Sequence, residues 1–463
     1  RLQAFTEELM RGKVGAAVAI EPSTGEILMM VSSPTFDPDE MVGRHRGNNY
    51  MKMLYNKRQP MFNRAVKAKY PPGSTFKLVQ GLIGLQEGVL TPADRYSCNG
   101  GFRYGHRMMK CHAHASPLDL RGAVANSCNA YFCYVLRNIL ENRRYEDVEH
   151  GFDMWKTYVN SLGFGRKLES DFLDEGAGYV PSSEYYDRVY HGSWNALTVI
   201  SLSIGQGELG CTPLQMANFA AILANRGYYY IPHIVKRIEG RDSIDRRFYE
   251  KQYTMIDPKH FEPIVEGMWR GVNVGGTSTV ARLDGWDVCG KTGTAQNPQG
   301  RDHSTFLSFA PKDNPRIAIS VYVENGGFGA TIALRDALCP AAKVSVLSNA
   351  TQIHRDSVRR ALLRVDNNIL KLDSAFDATV RRMNNPQSAS YTVRGIVEAM
   401  KRFDGRMILQ TMFLRGECGG QPVDNTTEEE VAAWLRLIGE IGPRQVMVYS
   451  LDRDTPCQTL EKV

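Results

Sequence analysis

No stretch of this 463-residue chain reaches the roughly 18 apolar residues that a membrane-spanning helix needs. The opening, Arg1 to Met10, is polar and holds no signal-peptide h-region, so any export or anchoring segment is expected to lie outside this sequence. No run of five or six basic residues occurs, and a net charge of +6 is mild for the length. Nucleic-acid binding is therefore not expected, whereas an anionic substrate or a membrane surface stays compatible. The nine cysteines are odd in number and irregularly spaced, which excludes a disulfide scaffold. Neither CxxC nor CxxxCxxC occurs, so no iron–sulfur cluster is expected. What remains is ordinary globular composition, at a length that suits two or three domains.

The elements fall into two styles. Gly15 to Ile20 and Glu26 to Ser32 are β-rich runs parted by Glu21-Pro22-Ser23-Thr24-Gly25, which predicts a hairpin. Asn48 to Lys69 is basic and polar and reads as a loop or irregular segment. Tyr70-Pro71-Pro72-Gly73 breaks the chain, and an apolar helical pattern opens near Gly73–Ser74 and runs to Leu85. Leu118 to Leu140 and Asn195 to Arg226 read as helices, the latter around a Gly205-Gln206-Gly207 break. Val288–Thr294, Thr305–Ala310 and Arg316–Glu324 read as consecutive antiparallel strands. Together these predict an α+β domain over residues 1–332. From about 333 to 463 the style changes to alternating strands (344–350, 368–373, 407–414, 445–451) and helices (355–365, 392–403, 427–441). That alternation predicts a separate α/β module with a parallel sheet or part of a barrel.

Three short motifs occur in order: Ser74-Thr75-Phe76-Lys77, Ser127-Cys128-Asn129 and Lys291-Thr292-Gly293-Thr294. Alone each is weak, and each has a bland reading as a helix start or a turn. Together they suit acyl transfer. Ser74 and Lys77, three apart at a helix N-terminus, share a face. A serine needs a nearby base to become a nucleophile, and a partly buried lysine can have its pKa lowered enough to serve. Free N–H groups at the helix start suit an oxyanion. Ser127 offers a hydroxyl for proton relay and Asn129 an amide for a substrate peptide group. Lys291, Thr292 and Thr294, on an edge strand, suit a peptide ending in a free carboxylate.

In this order the motifs resemble those of penicillin-binding proteins and serine β-lactamases. The stretches Val18–Pro34, Tyr70–Lys77, Ile204–Ala217 and Lys291–Gln296 are similar to a class B penicillin-binding protein of the elongation type. The resemblance spans about residues 1 to 331. It implies a peptidoglycan D,D-transpeptidase that forms a Ser74 acyl-enzyme with D-Ala-D-Ala stem peptides and is acylated by β-lactams. It also implies catalytic roles for Lys77, Ser127, Asn129 and Lys291, substrate contacts from Thr292, Gly293 and Thr294, and an oxyanion hole from the N–H groups of Ser74 and Thr294. No cofactor is required. Glycosyltransferase and elongation-complex partners at the periplasmic face of the inner membrane are implied as well. The family's membrane anchor and pedestal domain are not in this sequence, and the family's final helix is lost after Gly327–Thr331. A β-lactamase or β-lactam sensor shares the motifs, but no Glu stands where a class A lactamase needs its base. A catalytically silent wall-synthesis scaffold is the other alternative.

Cys98 and Cys111, with His112 and His114 beside the latter, lie between the first two motifs. The two thiols with His112 or His114 suit a structural zinc ion; a Cys98–Cys111 disulfide and free thiols are the other readings. The other cysteines read as buried small hydrophobes. The tail resembles the later strands of a radical-SAM barrel enzyme. Its thiols, Cys339, Cys418 and Cys457, are too scattered for that family's cluster, so the tail is expected to be an α/β module without activity of its own.

Overall fold

A computed structural model describes residues 1–105, 107–241, 243–297, 300–326, 345–384, 391–418, 421–450 and 459–462. The chain forms two compact units, Arg1–Ala342 and Lys343–Val463.

The first unit is built on one antiparallel sheet. Its strands are β1 (Gly15–Ile20), β2 (Ile27–Ser33) and, after two small hairpins, β7 (Cys289–Ala295), β8 (His303–Ala310) and β9 (Ile317–Val323). The hairpins pair β3 (Gly101–Tyr104) with β4 (Arg107–Lys110), and β5 (Tyr228–Tyr230) with β6 (Lys251–Tyr253). The main sheet runs β2-β1-β9-β8-β7, which leaves β7 on an edge.

Strand β1 is apolar throughout because both of its faces are covered. Alternation sends Ala16, Val18 and Ile20 into the large helical core. It sends Ala17 and Ala19 into a smaller core with Met10 of α1 (Leu2–Met10). The large core holds α4 (Lys77–Gln86), α6 (Asn129–Leu140) and α9 (Pro213–Ala224). In α9 the Thr212 side chain accepts from the Gln215 N–H while Gln215 reaches back to the Thr212 N–H, with Pro213 at the first position. That reciprocal cap lets a wholly buried helix start without stranded donors.

Two sequence expectations for this unit are corrected. Asn48 to Lys69 is not simply irregular: α2 (Arg46–Leu54) and the single turn α3 (Arg64–Lys67) occupy half of it. Helix α2 buries only Met53, so it offers no apolar stripe for a pattern to find. The helix after Gly73 also starts differently. Gly73–Phe76 is a 3-10 turn, and the α-helix proper begins at Lys77.

In the second unit β10 (Ser345–Ser348), β11 (Asn367–Lys371), β12 (Ile408–Cys418) and β14 (Gln445–Ser450) pair in parallel. Helices Asp356–Leu362, Val393–Lys401 and Glu428–Ile441 fall between them, as the sequence predicts. A fourth helix, Asp377–Asn384, was not predicted; it buries only Val380. The purely parallel expectation is corrected too. Strand β12 outruns its parallel partners, and its far end pairs antiparallel with β13 (Gln421–Asp424) and β15 (Glu461–Lys462). Cys339, Cys457 and the Gly327–Thr331 stretch lie outside the described residues, and of Cys418 only the backbone is described. Among the described residues no helix is long and apolar enough to cross a membrane.

Candidate active site

Ser74 sits in the 3-10 turn that leads into α4. The turn is anchored on both sides. Tyr70 exchanges backbone hydrogen bonds with Cys211 at 3.0 and 2.8 Å, and the Gly73 N–H donates to Gly205 at 2.9 Å. Gly73 has φ +57°, and a Cβ there would lie 2.6 Å from the Thr294 carbonyl oxygen. Only glycine allows the nucleophile turn to approach β7 so closely. As a helix-start residue Ser74 keeps an N–H with no carbonyl one turn earlier. Its half-buried hydroxyl has no protein partner among the described residues.

Lys77, fully buried at the start of α4, donates to the Ser127 carbonyl at 2.6 Å and to Asn129 Oδ1 at 2.5 Å, and lies 3.1 Å from Ser127 Oγ. Burial pulls its pKa down to about 8, against a weaker upward pull from the thiols of Cys111, Cys128 and Cys133. Lys291, on β7 and equally buried, donates to Ser127 Oγ at 2.8 Å and to the Thr292 carbonyl at 2.9 Å. Burial, and then the charge of Lys77, holds it well below the ordinary lysine range. The Ser127 hydroxyl thus lies between the side-chain nitrogens of two lysines. Ser127 lies between α5 (Leu120–Ala125) and α6 with φ +55°, a left-handed conformation unusual for serine that is held by its surroundings.

The three motifs therefore come together, and two of their residues make further contacts. Both ends of the Asn129 amide are occupied: Oδ1 accepts from Lys77, and Nδ2 donates to the Lys110 carbonyl at 2.7 Å. Thr292 faces away from Lys291 along the pleat. Its N–H donates to Ser278 Oγ at 3.2 Å, and its hydroxyl lies 3.0 Å from that of Thr277. Thr277 in turn donates its N–H to the Ala125 carbonyl at 3.0 Å, so this loop ties the edge strand to the segment before Ser127. Neither Thr277 nor Ser278 carries a sequence signal.

Gly293 packs toward the nucleophile turn, and a Cβ there would lie 3.2 Å from Thr75 Cγ2. Thr294 is exposed, and its carbonyl faces Gly73 and accepts from Gln206 Nε2 at 3.3 Å. In an extended strand the N–H and C=O of one residue point to the same edge. The Thr294 N–H therefore also faces the Ser74 side.

A second cluster adjoins the first. The ligand atoms of Cys98, Cys111, His114 and Cys128 lie within 4.8 Å of one another. Cys98 and Cys111 are free thiols, so the disulfide reading is not met; four donors converge here rather than two. His112 is outside the cluster, its ring 5.5 Å from that of His114. Cys128, read from sequence as a buried hydrophobe, is the missed member. The donor set of three sulfurs and one imidazole fits a tetrahedral zinc site. The surroundings fit as well. His114 Nδ1 meets the Ala115 carbonyl at 2.7 Å, which leaves Nε2 facing Cys111 at 3.4 Å. The Cys128 thiol and the Asn129 N–H hold the Cys111 thiol far down, to about 4. That N–H lies 3.1 Å from Cys111 Sγ, so the cluster grips the Ser127–Asn129 segment directly.

Comparison with known proteins places this geometry. The family described as "Penicillin binding protein transpeptidase domain" matches residues 15–338. The chain belongs to that family. It is 33% identical over 362 residues to the peptidoglycan D,D-transpeptidase MrdA of Acinetobacter baumannii, covering 72% of this chain and 51% of that protein. Its identity to the Escherichia coli MrdA is 27%, covering 72% of this chain and 54% of that one. The chain thus spans about half the length of the curated relatives it matches. Among solved structures, Pseudomonas aeruginosa PBP2 aligns with a TM-score of 0.64 at 31% identity, over 73% of this chain and 72% of that one. Penicillin-binding protein A of M. tuberculosis, solved as an imipenem acyl-enzyme, aligns with a TM-score of 0.59 at 26% identity, over 74% and 78%. The penicillin-binding transpeptidase domain thus accounts for the first unit.

Proposed function

We propose that the chain is a serine D,D-transpeptidase that cross-links peptidoglycan stem peptides and is acylated by β-lactams. The observation that carries this is the Ser127 hydroxyl held between Lys77 and Lys291, beside Ser74 at a helix start. Neutral Lys77 takes the proton as Ser74 Oγ bonds to the penultimate D-Ala carbonyl carbon. The N–H groups of Ser74 and Thr294 receive the oxyanion. The proton passes through Ser127 to the departing D-Ala nitrogen as the peptide bond breaks. Lys291 holds the terminal carboxylate, and Asn129 positions Lys77. An amine of a neighbouring stem then attacks the Ser74 ester, releasing the serine and forming the cross-link. Among the described residues no carboxylate is a hydrogen-bond partner of Lys77, Ser127 or Lys291. That disfavours the rival hydrolytic reading, because a lactamase needs a base aimed at water.

Incubation with a stem peptide ending in D-Ala-D-Ala and an amine acceptor tests the reading. Release of D-Ala with a cross-linked dimer is expected; hydrolysis alone would overturn it.

The Cys98, Cys111, His114 and Cys128 set would hold a structural zinc ion that braces the Ser127–Asn129 segment and takes no part in the chemistry. A solved peptidoglycan synthase complex that coordinates polymerization and crosslinking, 28% identical and aligned at a TM-score of 0.63, supports work beside a polymerising partner. A glycosyltransferase as that partner and a place at the periplasmic face of the inner membrane belong to the same proposal. The second unit is read as an α/β module similar to part of a radical-SAM barrel, with no cluster and no activity of its own.

A further inference from the structure

The turn Gly205-Gln206-Gly207 touches both halves of the oxyanion site, and nothing in the three motifs accounts for it. Gly205 accepts from the Gly73 N–H at 2.9 Å. It has φ +70°, and a Cβ there would lie 2.2 Å from the Gly73 carbonyl oxygen. The next residue, Gln206, is half-buried and donates from Nε2 to the Thr294 carbonyl at 3.3 Å. Three segments far apart in sequence thus converge: the nucleophile turn, the edge strand β7, and this glycine-flanked turn. The turn itself is anchored from below. Gln80, fully buried one helical turn after Lys77, donates to the Leu202 carbonyl at 3.0 Å and accepts from Trp155 at 2.9 Å.

Edge-strand geometry gives the contact its consequence. Thr294 presents its C=O and N–H to the same side. A partner that holds the carbonyl fixes the peptide plane after Thr294 and, through the two backbone dihedrals of one extended residue, limits the direction of its N–H. Ser278 tethers this edge at Thr292, two residues earlier; at Thr294 the side-chain partner among the described residues is Gln206. A donor preset at the position of the developing charge costs no reorganisation during reaction; a donor that swings does.

We propose that Gln206 is a positioning residue for acyl transfer: its amide aims the Thr294 N–H while the adjoining Gly205 carbonyl fixes the Ser74 turn, so one turn sets the two oxyanion donors against each other. This rests on the transpeptidase reading above. The hydrogen bond strengthens catalysis without touching substrate. It therefore acts on the acylation step and leaves the affinity of the initial complex alone.

The test is stopped-flow acylation by penicillin of wild type, Gln206→Ala, Gln206→Glu and Gln206→His, separating the first-order acylation constant from the initial dissociation constant. Gln206→Glu keeps the size and loses the donor; Gln206→His keeps a neutral N–H donor at similar reach. The Ala and Glu variants should lose about ten- to a hundred-fold in the first-order constant, with unchanged dissociation constants and melting temperatures. The His variant should stay within about threefold of wild type. If the Ala variant fails to fold, the Glu and His pair decides. Equal rates in all four proteins, or a loss confined to affinity, would overturn the inference. So would faster acylation without Gln206, which would make its amide a competitor for the incoming strand. A wild type that takes no adduct on Ser74 would instead overturn the transpeptidase reading, and this inference with it.

Discussion

Lys77 owes its chemistry to where it is buried. An ordinary lysine is charged at neutral pH and has no lone pair to accept a proton. Here desolvation lowers the pKa to about 8, so the neutral form grows as pH rises through that value. Acylation by penicillin should therefore accelerate about tenfold per pH unit well below 8 and level off above it. A rate constant measured from pH 6 to 9 checks this, and a flat profile would contradict Lys77 as base. Lys77→Ala should lose several orders of magnitude in acylation while keeping its melting behaviour, because nucleophile and base act as a unit. These residues were legible in the sequence because their spacing is local: Ser74 and Lys77 lie one turn apart, and Ser127 and Asn129 flank a single residue. The occupied Asn129 amide and the Thr277–Thr292 contact were not legible. Each depends on a partner from another segment, and threonine or asparagine in a loop carries no pattern of its own.

At the scale of elements, the Pro-Pro-Gly break and the edge position of β7 match the sequence reading, but the α-helix after the break starts only at Lys77. The thiol cluster was only half legible. Cys98, Cys111 and His114 stand close together in the chain, but Cys128 comes 17 residues after Cys111, hidden inside the second motif. Gln206 is harder still to see, because Thr294 lies 88 residues away. The loop that carries Cys98 and Cys111 is held to α6 through Cys128, which caps that helix. The zinc proposal therefore predicts coupling between loop and motif. Purified protein should carry about one zinc per chain by elemental mass spectrometry. Stripping it with a chelator, or Cys111→Ala, should lower the melting temperature by several degrees and slow acylation as Ser127 and Asn129 lose their support. Metal-free protein with unchanged stability and acylation would remove the zinc from the picture.

For the whole molecule, the change of style near residue 333 was visible because strand and helix periods switch from an antiparallel to a βα pattern. What the sequence did not reveal was the extra length of β12. A strand end that finds antiparallel partners leaves no periodic trace different from a parallel one. Each unit has its own buried core, one around α4 and α6, the other around Leu370, Met400, Leu409 and Trp434. Removal of residues 343–463 should therefore leave penicillin acylation within about twofold of the full chain. Loss of acylation in a truncated protein that still melts cooperatively would mean that the second unit takes part in catalysis.

The most direct measurement is the intact mass of the full chain after incubation with benzylpenicillin, followed by peptide mapping. One adduct of the drug's full mass, located on the peptide containing Ser74 and absent from Ser74→Ala, is the expected result. An unmodified wild type, or a Ser74→Ala protein that still takes the adduct, would contradict Ser74 as the nucleophile.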